Sequence, residues 1–196
     1  MRFSELILAT NNRHKIAELT ALLEGAGVTI LTKADFPDFP EIEETADTLA
    51  ANALEKSRAI FHKYGIPAVA DDTGLEVDYL GGAPGVYSAR YAGEGCSFAD
   101  NNRKLLRELE GIPAEQRRAR FVTVIAVTYA DGDICHEGSV HGYIATEPRG
   151  SSGFGYDPVF IYQPLGKTFA EMGPEMKNSV SHRAVALRKF RDWLLY

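Results

Sequence analysis

The hydrophobic positions of this 196-residue chain change period several times, and each change marks an element. Residues 3–10, FSELILAT, carry a short apolar run that reads as a first strand. The polar NNRHK follows, and then IAELTALLEGAG, where Ile16, Leu19, Leu22 and Leu23 share a helical face and Gly25 and Gly27 supply stop signals. After a loop rich in proline and acids, TADTLAANALEKSRAIFHKYG predicts a second helix with Leu49, Ala53, Leu54, Ile60 and Phe61 on its buried side. IPAVA predicts a short buried strand that ends at Asp71 and Asp72, and LEVDYL either continues it or pairs with it.

GGAPGVYSARYAG is a glycine-rich loop, and a third helix starts at Ser97, which forms a capping-box pattern with Asp100, and stops at Gly111. Residues 119–146 read as a long β-hairpin turning at Asp131-Gly132. Its first strand is apolar at Phe121, Val122, Val124, Ile125 and Val127, on both faces, as a central strand would be. PVFIY is a further strand, and SHRAVALRKFRDWLL closes the chain as a helix with Ala184, Leu187, Phe190 and Leu194 in its core stripe. Strands and helices mix without a linker, so the expected class is α/β with a mixed sheet in a single domain over 1–196.

Composition narrows the function classes. The chain is 45% hydrophobic with a formal charge of −6. That balance argues against a nucleic-acid or membrane-surface binder, which needs a basic face. It leaves room for a small anionic ligand held by a few converging lysines. Cys96 and Cys135 have neither metal-ligand nor redox-motif spacing, and no apolar run reaches signal or membrane-span length. A reduced, cytoplasmic protein is the expectation.

Five stretches could carry chemistry. In ATNNRHK, a hydroxyl, an amide and an ammonium (Thr10, Asn12 and Lys15) stand where a strand ends and a helix opens. Helix-start N–H groups and an ammonium there suit an anion, although the glycines of a Walker A motif are absent; an asparagine-rich helix cap with a solvated lysine is the other reading. In EETADTLAANALEKS, Asn52 and Lys56 are neighbours on one helix face and Glu44 precedes the helix. Lys56 reads equally as part of a solvated stripe. ADDTG places two carboxylates side by side, which suits either a turn or Mg²⁺, an ion that takes one or two carboxylates plus waters and substrate phosphates.

GSSGFGYDP offers glycines for close backbone approach and Phe154 and Tyr156 as flat surfaces for a base, or else a hairpin loop with core aromatics. MKNSVSHRA sets Lys177 before a helix start at Ser181-His182-Arg183, where cations oppose the helix dipole. A local rule broken in this way points to a functional site.

The order and spacing of TNNRHK, EETADTLAANALEKS, ADDTGLEVDYLGGAPGVYSARYAG, GFGYDP and KNSVSHR resemble the inosine triphosphate pyrophosphatase family over nearly the whole chain. The resemblance implies an elongated mixed sheet flanked by helices in two lobes with a central substrate cleft. It also implies a homodimer, and Mg²⁺-dependent hydrolysis of ITP, dITP or XTP to the monophosphate and pyrophosphate. Carried onto this chain, Thr10 to Lys15 and Lys56 would bind the triphosphate. Asp72 would be general base and metal ligand, with Glu44 the second ligand and Asp71 in support. Thr73, Phe154, Gly155, Tyr156, Asp157, Lys177, His182 and Arg183 would complete the nucleotide site. Two alternatives remain at this level: a related pyrophosphatase acting on pyrimidine or other modified nucleotides, and a nucleotide-binding regulator without catalysis.

Overall fold

The computed structural model describes residues 2–10 and 12–196, except for the side chains of Arg13 and His14. Seven strands form one mixed sheet in the order β2-β1-β3-β4-β5-β6-β7. Strand β1 (Glu5–Leu8) pairs in parallel with β2 (Thr29–Leu31) and with β3 (Ala68–Val77). Helix α1 (Arg13–Leu23) connects β1 to β2, and α2 (Leu49–Tyr64) precedes β3. Helix α3 (Phe98–Glu108) precedes the long strands β4 (Arg118–Tyr129) and β5 (Gly132–Ile144). Short strands β6 (Phe160–Tyr162) and β7 (Lys167–Thr168) add antiparallel beyond β5, followed by α4 (Pro174–Val180) and α5 (His182–Leu195).

Burial follows the sequence pattern where the pattern was strong. Strand β4, the middle of the seven, is buried almost without interruption, as its two apolar faces require. Strand β5 alternates, burying every second residue from His136 to Ile144, the period of a strand with one core face. Helix α2 is delimited as its ends dictate. The Thr48 hydroxyl accepts the Ala51 N–H, and Gly65 terminates the helix at φ 68°, a left-handed conformation that glycine adopts without a Cβ clash. The Ser97–Asp100 capping box at the start of α3 is complete in both directions.

Several expectations change. Asp71 and Asp72 do not end a strand or form a turn; β3 runs straight through them and takes in LEVDYL as far as Val77. The hairpin turn is Ala130-Asp131, one residue earlier than expected. Ala184 is only half-buried, and Ala186 fills the stripe of α5 with Leu187, Phe190 and Leu194. Strands β2 and β7 and helix α4 are too short to leave a periodic signal.

The chain forms two compact units. The first comprises Met1–Asp72, Thr123–Gly138 and Val185–Tyr196, and the second Thr73–Val122 and Ser139–Ala184. In the first unit, Leu6, Leu8, Leu19, Leu23, Val69, Ile125, Val127 and Phe190 belong to one apolar cluster, and Ile7, Ile60, Ala68 and Ala70 to another. The second unit has its own core, centred on Leu75, Leu105, Phe121, Val159, Phe160 and Phe169. Cys96 and Cys135 are free thiols. Among the described residues no helix is long and apolar enough to cross a membrane.

Candidate active site

The first unit gathers charges. Asp71 and Asp72 are 5% and 8% exposed, and as neighbours on a strand they project to opposite faces of β3. Each carboxylate therefore finds its own partners, and their mutual repulsion is smaller than adjacency in sequence suggests. Lys15, from the first turn of α1, sets its Nζ 2.7 Å from Asp71 Oδ2. Lys56, from the middle of α2, donates to Glu44 Oε1 at 2.6 Å and to the Asp71 carbonyl at 2.8 Å. Its Nζ is also 3.9 Å from Asp72 Oδ1.

Asn52, one turn before Lys56, is buried and donates from Nδ2 to Asp72 Oδ2 at 3.2 Å, while its Oδ1 accepts the Ala46 N–H at 2.9 Å. That second bond ties the segment between Glu44 and α2 to the helix that carries Lys56. Asn52 is thus a part of this cluster to which sequence reasoning gave no role. Its i, i+4 spacing to Lys56 was the available signal. Thr10 and Asn12 shape the entry to α1: the Asn12 N–H donates to Thr10 Oγ1, and Asn12 Oδ1 accepts the Lys15 N–H at 3.3 Å. Asn12 is therefore the helix cap, and the lysine it helps to place is ion-paired rather than solvated. Asn11, and the Arg13 and His14 side chains, lie outside the described residues.

Chemically, two ammonium groups and three carboxylates meet around one stretch of β3. Among the described residues no three His, Cys, Asp or Glu side chains form a metal-holding group by themselves. The Lys56 ammonium does show that Glu44 and Asp72 converge on one cation position. A donor set of two carboxylates suits Mg²⁺ when substrate oxygens and waters fill the remaining positions.

The second unit gathers aromatic rings and main-chain hydrogen bonds. Thr73, half-buried, follows Asp72 directly on β3. Phe154 is 39% exposed, while Tyr156 is buried and donates its hydroxyl to the Ser88 carbonyl at 2.9 Å. Burial pushes the Tyr156 phenol pKa well up, so it remains a neutral donor. Of the two rings suggested as a surface for a base, Phe154 is partly exposed and Tyr156 is committed to the core.

Asp157 is 3% exposed, and its Oδ2 accepts the Phe154 N–H at 2.9 Å and Lys177 Nζ at 2.5 Å. Lys177 in turn lies 4.8 Å from the centroid of the Phe154 ring. Asp157 thus fixes both the loop and the lysine, a scaffolding task that the sequence did not separate from ligand contact. Gly153 is required here: at φ 79° a Cβ would come within 2.0 Å of Asp157 Oδ2. His182, at the first turn of α5, is buried and stacks on Phe121 at 4.6 Å between centroids with a 13° interplanar angle. Arg183 beside it is half-buried. The support from Phe121 had no local sequence signal, since it comes from β4, far from His182 along the chain.

The model of the Ham1 family matches residues 6–193. The dITP/XTP pyrophosphatase of Porphyromonas gingivalis is 51% identical over 191 residues, which cover 97% of each chain. That of Thermoanaerobacter sp. (strain X514) is 49% identical, covering 97% of this chain and 96% of its own. Among solved structures, a HAM1 protein from Coxiella burnetii superposes with a TM-score of 0.93 at 39% identity, covering 99% of this chain and 98% of its own. The Staphylococcus aureus Ham1 protein gives 0.91 at 38% identity and covers 97% of both chains. With the sheet, the charged cluster and the aromatic loop already in place, these matches decide the family: the chain belongs to the Ham1 family.

Proposed function

We propose that this protein is a nucleoside triphosphate pyrophosphatase that hydrolyses the non-standard purine nucleotides ITP, dITP and XTP to the monophosphate and pyrophosphate, with Mg²⁺ as cofactor. The observation that carries the reading is the cluster of Lys15, Lys56, Glu44, Asn52, Asp71 and Asp72. A triphosphate brings about four negative charges, and cations already gathered at the site suit such a charge distribution. Lys15 and Lys56 are held by carboxylates and so are preorganised to meet it.

Asp72 is the proposed general base. Its Oδ2 is oriented by Asn52, leaving Oδ1 on the side of Lys56, where a water proton could be taken. The water oxygen bonds to the α-phosphorus, its proton passes to Asp72, and the bond from the α-phosphorus to the bridging oxygen breaks to release pyrophosphate. Glu44 and Asp72 would hold Mg²⁺, which would neutralise charge on the phosphate oxygens. Phosphoryl chemistry of this kind needs mainly positioning and charge neutralisation, and the cluster supports both.

In the second unit, Phe154 offers a face to a purine, and His182 and Arg183 are the proposed donors to its 6-oxo group. Adenine, with a 6-amino group, would leave those donors unpaired, at about 1–3 kcal/mol for each buried group. The resemblance also motivates a homodimer in the cytoplasm, and light scattering on the eluting peak checks the former. The decisive assay is pyrophosphate release with Mg²⁺ across ITP, dITP, XTP, GTP, ATP and dUTP. Efficient release from the first three alone is expected. Orthophosphate and diphosphate as early products would overturn the reading.

A further inference from the structure

Helix α3 carries two features that the reading above does not use. Phe98, in its first turn, is 54% exposed, yet its ring lies 6.1 Å from that of Phe154, itself 39% exposed. Asn102, four residues later, is 7% exposed and donates from Nδ2 to the Gly155 carbonyl at 2.9 Å. Residues four apart share a helix face, so one face of α3 meets two consecutive residues of the loop, one by its ring and the other by its main chain.

The Asn102 side chain bears a cost. Its Oδ1 is buried and accepts no hydrogen bond among the described residues. A leucine of similar size would fill the same space without stranding an acceptor. The amide is therefore suited to what its donor does, which is to hold Gly155, a residue at φ 62° whose conformation sets the path of the chain on either side. The adjacent Asn101 makes the contrast plain. It is 2% exposed, and both ends of its amide are used on another loop, accepting from the Ala92 N–H at 2.7 Å and donating to the Ala89 carbonyl at 3.1 Å.

We infer that Asn102 and Phe98 are positioning residues for base recognition: together they fix the Phe154–Gly155 segment so that the Phe154 ring is presented to the purine. Neither touches the reacting atoms. This inference rests on the reading of Phe154 as the purine surface. It predicts that loosening the loop weakens binding of the base while the chemical step, carried by the first unit, continues.

The test compares wild type with Asn102→Asp, which keeps the shape but removes the donor, and with Phe98→Ala and Phe98→Tyr in the full-length chain. For Asn102→Asp, KM for ITP should rise about tenfold, the scale of one lost hydrogen bond, with kcat within about twofold. Phe98→Ala should raise KM about threefold, a weaker aromatic contact, and Phe98→Tyr should restore it. Titration calorimetry adds a readout apart from turnover: affinity for inosine monophosphate should fall in Asn102→Asp, and affinity for inorganic pyrophosphate should not. If Asn102→Asp does not fold, the exposed Phe98 pair decides the matter alone. Unchanged KM in folded variants, a loss confined to kcat, or equal losses for both ligands would overturn the inference. A wild-type protein that releases no pyrophosphate from any nucleotide would instead overturn the activity itself, and the calorimetric comparison would still stand.

Discussion

The two units hold their candidate site residues by different physics. In the first, charged groups hold one another: Asp71 against Lys15, Glu44 and Asp72 against Lys56, with Asn52 fixing the orientation of Asp72. In the second, rings and main-chain bonds do the work: His182 on Phe121, Tyr156 on Ser88, and the Phe154 N–H on Asp157. Strand β3 contributes to both, passing from Asp72 in one to Thr73 in the other. The contrast fits a division of labour. A cluster held by ion pairs can exchange its internal partners for a metal and phosphates at modest net cost, because each new partner replaces an old one. A surface for a flat base requires rigidity, which packing supplies.

The largest effect expected from this division is at Asp72. Asp72→Asn keeps the Oδ that Asn52 can hydrogen-bond but removes the proton acceptor, so kcat should fall by about 10²–10⁴-fold. Nucleotide affinity, measured by calorimetry, should change far less, since Lys15 and Lys56 remain. Because Asp71 and Asp72 project to opposite faces, the melting temperature should stay close to that of the wild type rather than rise from relieved repulsion. Near-normal turnover would remove the chemistry from Asp72 and make Glu44 or Asp71 the next candidate.

A smaller change should follow in the other unit. Arg183→Ala should reduce kcat/KM for ITP by about tenfold more than for ATP, which narrows the selectivity without abolishing turnover. An equal loss on both nucleotides would place Arg183 on the phosphates or in the scaffold, and the division would blur.

The smallest effect separates the units by pH. His136, in the first unit, is buried against Phe190 and Trp193, with its Nε2 unpartnered among the described residues. Burial, aided by the nearby Lys189 charge, holds its pKa below the ordinary value of 6.5. The unfolded chain therefore binds this proton first. The stability that neutral His136 contributes is complete above about pH 6.5 and is lost as pH falls toward its lower folded value. Trp193, the single tryptophan, has its ring 5.4 Å from that of His136. Thermal melts followed by its fluorescence should shift downward between pH 7 and 5.5, and His136→Phe should flatten that dependence. An unchanged slope in the variant would locate the acid sensitivity elsewhere.

How much was legible depended on the range of the interactions. Long periodic segments such as α2, β4 and α5 declared themselves, because burial of one face or two leaves a pattern in a single stretch. The capping box at Ser97 was readable for the same reason, since its partners are three residues apart. Tyr156 was left open because an aromatic in a glycine-rich loop looks the same whether it faces a ligand or the core; its bond to Ser88, 68 residues away, places the ring in the core. The short β2 and β7 were invisible because they are specified by pairing with neighbours, not by their own residues.

By itself the sequence determined the α/β class, the presence of its long periodic elements, the family resemblance and the residue types of the candidate site. Only the tertiary structure decided that β3 continues through Asp71 and Asp72, which sends the two carboxylates to opposite faces with separate cations. It also decided that Asn52 orients Asp72 and that Asp157 serves Phe154 and Lys177. The reason is physical: propensity and periodicity act over a few residues, whereas the partner of a buried charge or ring is set by which distant segments the fold brings to hydrogen-bonding range.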